Sequence, residues 1–194
     1  MFFKGTCRLE GKLDEHIIDR AEARLIEFES NPIYNFSYKD WQRLDSYHNP
    51  SAYNLVDIVG EELVAAVLQI FDSHKLFGWS ISSLPGSTAI ADHADRLMLH
   101  RLAKRIIVPL TDTHSCQNWH WNTHDQRINY TLDRGGVYRL NTAITHGLKN
   151  NSTEPRRAVY FDMMPDRLYD KFSTHTDITS VILANAIGNK YVLQ

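Results

Sequence analysis

Between residues 78 and 163 the chain reads as short β-rich runs cut apart by turn residues, and this constrains its fold more than any other feature. The runs are Gly78 to Leu84, Thr88 to His93, Arg105 to Leu110, Cys116 to Trp121, Arg127 to Leu132, Gly136 to Leu140, Ile144 to Asn150 and Arg156 to Met163. Strands this short cannot bury a face alone, and so many in succession, with no helical period between them, predict a sandwich or barrel. Asp133-Arg134-Gly135-Gly136 is the strongest turn signal, and the polar stretch from Asn150 to Pro155 is a reversal before the last strand.

Helical periodicity is confined to the flanks. Ile17, Ala21, Leu25 and Phe28 recur at helical spacing after Asp14, a candidate N-cap, and Asn31-Pro32 stops the pattern. Val64, Val67, Leu68 and Phe71 predict a second helix from about Gly60 to about His74. Residues 33–56 are aromatic and polar without a clean period and read as irregular, their aromatic side chains as packing material. A strand from Phe2 to Leu9, ended by Gly11, and an apolar helix from Asp177 to Ile187, closed by Gly188, complete the reading. The expectation is one domain over 1–194: a helical and irregular part at 1–77, a β core at 78–164 and a helical extension at 165–194.

Bulk electrostatics favour no partner. A net charge of −2 gives no reason to expect nucleic acid or an anionic membrane, so function has to come from a site. Cys7 and Cys116 lie far apart without a CxxC or zinc-like spacing, which fits a reduced, cytoplasmic protein. The start of the chain lacks a secretory pattern, and the apolar run Leu63 to Leu68 is too short to span a bilayer.

The chemistry concentrates around three residues. On an extended segment His93 and Asp95, two positions apart, point the same way and can share one ligand. A second singular segment, Thr142 to Asn150, carries His146, which a neighbouring strand of a rolled sheet would bring to the pair. Two imidazoles and one carboxylate on one face of a metal leave the opposite positions open, as in non-haem Fe(II) oxygenases. Asp92 is the competing carboxylate, but alternation puts it opposite His93. Arg156 lies ten residues beyond His146 at the start of a strand. There it can enter the same cavity and offer a bidentate fork to a carboxylate. Alternation puts Arg156, Ala158, Tyr160 and Asp162 on one face, and Arg157, Val159 and Phe161 on the other, where helices can cover the apolar pair.

Taken in order, Pro85-Gly86, His93-Ala94-Asp95, Arg105 to Leu110, Leu140-Asn141, His146, Asn150, Arg156 and Asp162 resemble the aspartyl/asparaginyl β-hydroxylase-like branch of the 2-oxoglutarate and Fe(II)-dependent oxygenases. The resemblance spans roughly residues 84–163. It implies a mainly β protein with flanking helices, a double-stranded β-helix (jelly roll, cupin-like). It also implies Fe(II) on His93, Asp95 and His146, the distal carboxylate of 2-oxoglutarate on Arg156, and Arg105 facing the same cavity. The implied reaction consumes O2 and 2-oxoglutarate, releases succinate and CO2, and hydroxylates a C–H bond of an amino acid or of an Asp, Asn or Pro residue in a protein. Asp95 places the chain nearer the members with a complete triad. Where the family segment often reads Arg-x-His-x-Pro-Leu, the His position is Ile107, so another residue must supply that contact. A catalytically silent cupin-like binding protein and a zinc hydrolase on the same ligands are the alternatives.

Other clusters carry less. His114, His120 and His124 have no ligand spacing and read as a solvated loop; His120 and Trp119 are candidates to line the cavity, with core or surface roles equally open. Arg96, Arg101, Lys104 and Arg105 form a basic run that reads mostly as surface.

Overall fold

The computed structural model describes residues 7–31, 37–38, 41–45, 54–95 and 103–173. Strand β1 (Cys7–Lys12) leads into helix α1 (Glu15–Ser30). Two short strands follow, β2 (Ser37–Tyr38) and β3 (Trp41–Asp45), then helices α2 (Leu55–Val59) and α3 (Glu61–Ile70). Eight strands make the rest of the core: β4 (His74–Leu84), β5 (Ala89–His93), β6 (Lys104–Pro109), β7 (Cys116–Trp121), β8 (Arg127–Tyr130), β9 (Gly136–Leu140), β10 (His146–Asn150) and β11 (Arg156–Pro165). A further helix, α4, covers Asp166–Ser173. Among the described residues no helix is long and apolar enough to cross a membrane.

The strands form two antiparallel sheets, a seven-stranded one in the order β1-β9-β6-β11-β4-β3-β2 and a four-stranded one in the order β5-β10-β7-β8. Apart from the β7–β8 hairpin, the core strands have neighbours far from them in sequence, because the chain alternates between the sheets as it winds. That topology is a double-stranded β-helix with flanking helices, as the sequence leads one to expect.

Alternation decides what each face of the large sheet does. Trp79 and Ile81 on β4, Ile106 and Val108 on β6, and Val159 and Phe161 on β11 point outward and form one buried cluster with Ile18, Leu25, Ile58 and Leu63 of the helices. Burying apolar area here is the main driving force for docking the helices, and truncating Phe161, which is wholly buried, to Ala costs about 3–5 kcal/mol. The opposite residues of the same strands, Ser80 and Ser82, Arg105 and Ile107, and Tyr160, face the small sheet and line a cavity, with Ala158 buried among them. Arg134 ties the two layers: its guanidinium reaches Asp19 at 2.7 Å and Glu22 at 2.9 Å on α1, and Nε donates to the Leu110 carbonyl at 2.7 Å. The β8–β9 turn that carries it needs Gly135, whose φ of 73° is costly for residues with a Cβ.

Several local expectations change. The stretch 33–56 is not wholly irregular: Gln42 to Asp45 pair with Ser80 to Ser83, so tertiary pairing gives β3 an order that no period announces. The helix expected to reach about His74 ends at Ile70. Phe71 leaves helical geometry and residues 74 onward pair with β11. Asp14 occupies the N-cap of α1 in extended conformation but makes no side-chain cap bond. Helix α4 falls at the start of the helical extension expected at 165–194, while the proposed helix from Asp177 to Ile187 and most of the strand from Phe2 lie outside the described residues, as do Arg96, Arg101 and the side chains between Tyr34 and Tyr53.

Candidate metal centre and its cavity

Strands β5 and β10 are neighbours, and their register sets His93 opposite His146. The imidazole centroids lie 4.3 Å apart with planes inclined at 51°. Asp95 follows β5 closely, and its backbone N–H donates to the Thr142 carbonyl at 2.8 Å, tying it to the turn that leads into β10. Its Oδ1 lies 3.9 Å from His93 Nε2. One donor atom from each of the three residues lies within 4.8 Å of the others, and among the described residues this is the one such group.

The hydrogen bonds behind the rings prepare them as ligands. Nδ1 of His93 lies 2.8 Å from the Ala91 carbonyl, and Nδ1 of His146 lies 2.8 Å from the Ile144 carbonyl. A carbonyl only accepts, so each Nδ1 holds a hydrogen, and in the neutral ring it is Nε2 that carries the lone pair. Burial, then the neighbouring His93, pushes the His146 pKa down and keeps that ring neutral. Two neutral imidazole nitrogens and one carboxylate suit a first-row divalent ion better than calcium or magnesium, which prefer all-oxygen sets.

Arg105 backs the carboxylate. It is buried, with Nη1 3.5 Å from Asp95 Oδ2 and 3.9 Å from Asp162 Oδ1, and Nη2 donates to Ser80 Oγ at 3.1 Å. Oδ2 of Asp95 is thus directed at a cation while Oδ1 faces the imidazoles.

Arg156 stands apart from such networks. It is 1% exposed, and none of its three side-chain nitrogens has a hydrogen-bond partner among the described residues. Ser82 Oγ is likewise buried without one. Both line a cavity of about 350 Å³ that His146, Asp95 and Arg105 also line. Arg157 points the other way, to Glu29 at 2.9 Å, as the alternation that singles out Arg156 requires.

The loops that gather these strands are joined by Asn150, which is fully buried. Its amide donates to the carbonyls of Leu84, Pro85 and Glu154 at 3.1, 3.2 and 2.8 Å, and its Oδ1 accepts from Ser152 Oγ at 2.7 Å. At Gly86 the chains approach so closely that a Cβ would sit 2.3 Å from the Thr153 carbonyl oxygen. Asn150 and Gly86 therefore hold the β4–β5 turn against the β10–β11 turn, and with it the His93 strand against the Arg156 strand.

Sequence reasoning missed Ser80, Ser82, Asn118 and Tyr130 as cavity residues. The readable signal was Trp79-Ser80-Ile81-Ser82, in which small polar residues alternate with apolar ones on an otherwise buried strand. Ile107 is an apolar part of the cavity wall. Asp92 is not part of the ligand group; its carboxylate accepts from Trp119 Nε1 at 2.5 Å and Trp121 Nε1 at 2.9 Å. His120, opposite His146 on β7, is buried rather than solvated, while His114 is exposed.

No protein-family profile matches the sequence, and no curated protein matches it. Solved structures do. A prolyl-4-hydroxylase from Pseudomonas putida superposes with a TM-score of 0.60 at 13% identity, covering 84% of this chain and 94% of that one. An oxidoreductase of the 2OG-Fe(II) oxygenase family from Burkholderia pseudomallei gives 0.57 at 13% identity over 78% and 79% of the two chains. A prolyl hydroxylase from Trichoplax adhaerens, in complex with a peptide fragment of the hypoxia inducible factor oxygen degradation domain, gives 0.58 at 8% identity over 83% of each. At such identities the likeness is one of fold: this chain has the double-stranded β-helix architecture of proteins described as 2OG-Fe(II) oxygenases and prolyl hydroxylases.

Proposed function

We propose that the protein is a 2-oxoglutarate- and Fe(II)-dependent dioxygenase that hydroxylates a C–H bond of an amino acid or of an Asp, Asn or Pro residue in a protein. The observation that carries this reading is Arg156. A fully buried guanidinium with no hydrogen-bond partner among the described residues is costly unless an anion completes it, and this one lines the same cavity as the His93, Asp95 and His146 donors.

The residues fit the group. His93, Asp95 and His146 would hold Fe(II), which with O2 and 2-oxoglutarate supplies the oxidising chemistry: R–H, O2 and 2-oxoglutarate become R–OH, succinate and CO2. The chain's own contribution is placement. Arg156 and the Ser82 hydroxyl bind the distal carboxylate of the co-substrate, the arginine as a fork and the serine as a single donor. Ser82 also answers the question raised by Ile107, because a donor on β4 takes the role that a donor on β6 leaves vacant. Arg105 keeps Asp95 turned with one oxygen toward the metal side. Ile107, Leu132 and Leu140 form apolar walls that limit water around the reacting groups.

A cavity of about 350 Å³ lies at the small end of ligand pockets, room for the co-substrate and a small substrate or the tip of a larger one. His93 is 43% exposed at its side chain, so the metal side is open to a macromolecular substrate as well as to a free amino acid. That the Trichoplax neighbour is in complex with a peptide supports a protein target as one of the two kinds. Two free, separated thiols support a reducing, cytoplasmic setting.

The test is anaerobic addition of Fe(II) and then 2-oxoglutarate, with the metal-to-ligand charge-transfer band as readout, followed by a screen of amino acids and Asp, Asn and Pro peptides for succinate release. A band lost in Arg156→Ala and in His146→Ala supports the reading. If the wild type gives no band, the silent cupin-like binding protein replaces it.

A further inference from the structure

The small sheet carries, beside the cavity, a device that takes no part in the ligand group itself. In the order β5-β10-β7 the central strand sets His146 opposite His120 and Gly147 opposite Trp119 of β7. Trp119 Nε1 donates to Asp92 Oδ1 at 2.5 Å, and Trp121 Nε1 donates to Oδ2 of the same carboxylate at 2.9 Å. Asp92 belongs to β5, two strands from β7. Strands so placed are about 9–10 Å apart, twice the interstrand spacing, so only a long side chain crossing β10 can make this link. Gly147 makes the crossing possible: a Cβ there would lie 2.6 Å from Trp119 Cζ2 and 2.8 Å from Cε2. The guanidinium of Arg127 stacks on the Trp119 ring at 3.9 Å.

The link sits where the ladder is weakest. His146 pairs with His93 and Leu148 pairs with Ile90, so Ala91 and Asp92 together oppose the single residue Gly147. That is a β-bulge, which disrupts ladder hydrogen bonds locally and re-aims the side chains beside it. One of those side chains is His93. Its Nδ1 bond to Ala91 orients the ring within its own strand but does not set its separation from His146 on the next.

We infer that Asp92, Trp119, Trp121 and Gly147 are positioning residues for the metal centre: the two indoles staple β5 to β7 across Gly147 and fix the spacing of His93 and His146, which the bulge would otherwise leave loose. This rests on the reading of His93, Asp95 and His146 as metal ligands. Residues that orient ligands from behind typically change metal affinity by about 10–100-fold when altered, and charge-assisted bonds from two donors to one carboxylate are of the strong kind.

The test uses Co(II) alone as probe with the full-length chain, measuring affinity by calorimetry and coordination by the visible absorption of the bound ion. Asp92→Asn weakens the staple without changing volume, and Trp121→Phe removes one indole donor while keeping an aromatic ring. The expected result is Co(II) affinity weakened about 10-fold in each and up to about 100-fold in the Asp92→Asn/Trp121→Phe pair, with an altered visible spectrum. Val108→Ala, a core truncation on the far face of the large sheet, lowers thermal stability and is expected to leave both readouts unchanged. Should Asp92→Asn fail to fold, Trp121→Phe decides alone. Variants that bind Co(II) within twofold of wild type, or lose no more affinity than Val108→Ala, overturn the inference. A wild type that binds no Co(II) overturns the metal-site reading itself and this inference with it, and needs no variant to be recognised.

Discussion

Arg105 Nη1 lies 3.5 Å from Asp95 Oδ2 and 3.9 Å from Asp162 Oδ1, so a single buried cation joins a candidate metal ligand to a wholly buried carboxylate on β11. Removing one member of a buried ionic group costs more than removing the group, because the charge left behind keeps its desolvation penalty. Arg105→Met is therefore expected to destabilise the fold by about 3 kcal/mol, and adding Asp162→Asn to recover much of that loss. Urea denaturation of the two variants and wild type checks it; equal losses in single and double variants would show that the coupling is absent.

Arg156 gives a prediction of opposite sign. Its guanidinium is buried without a hydrogen-bond partner among the described residues, which is unfavourable unless an anion completes it. Arg156→Met is expected to raise the melting temperature of the unliganded protein by at least about 3 °C, roughly 1 kcal/mol for a chain of this size. The same change is expected to weaken 2-oxoglutarate binding by about 2–5 kcal/mol, some 30-fold to several thousand-fold. Ser82→Ala removes one neutral donor, so the expected loss is about 1 kcal/mol, under tenfold. Differential scanning fluorimetry with and without 2-oxoglutarate reads both effects. A destabilised Arg156→Met would mean that the guanidinium is satisfied in the empty protein.

What the sequence reveals follows from how local each cause is. The period of two in Arg156 to Asp162 assigns Arg156 inward and Val159 and Phe161 outward, because alternation is a property of the strand alone. His93, Asp95 and His146 are legible as a set because the chemistry of the types is distinctive, but their meeting depends on the β5–β10 register, which no local pattern encodes. Strand β3 is hidden for the same reason: it exists through its pairing with β4. Asp92 shows the cost of strict alternation. Counting by twos places it opposite His93, yet the bulge against Gly147, the feature that gives it a partner two strands away, cannot be seen without the ladder.

Asn150 is the joint between the turns that carry the two halves of the site. Its amide serves three carbonyls and its oxygen accepts from Ser152, all from a position with no solvent access. Asn150→Ala leaves several of those groups with neither partner nor water, and unsatisfied buried groups cost about 1–3 kcal/mol each before relaxation. A net loss of about 3 kcal/mol is expected, with Asn150→Asp nearly as costly because a carboxylate cannot donate to the Leu84, Pro85 and Glu154 carbonyls. Equilibrium unfolding of both variants checks this, and a mild Asn150→Asp would assign the stabilisation to the Ser152 side of the network.

Three imidazoles make the fold sensitive to acid. Burial is the largest cause that pushes the pKa of His74, His120 and His146 below the ordinary 6.5; Lys104 adds to it for His74 and His93 for His146. In each case the folded chain releases the proton more readily than the unfolded chain, so in the window between the lowered value and about 6.5 the unfolded chain binds more protons. Stability therefore falls as pH drops through about 6.5 and stops falling from this source only below the folded values. Melting temperature is expected to decline from about pH 7.5 to about pH 5.5, and the decline to be smaller in His120→Gln, which removes one of these groups without touching the ligand set. Co(II) should raise the melting temperature of the wild type less at the lower pH, since protons and metal compete for the same nitrogen of His146. A His120→Gln profile parallel to wild type would transfer the acid sensitivity to the other two rings.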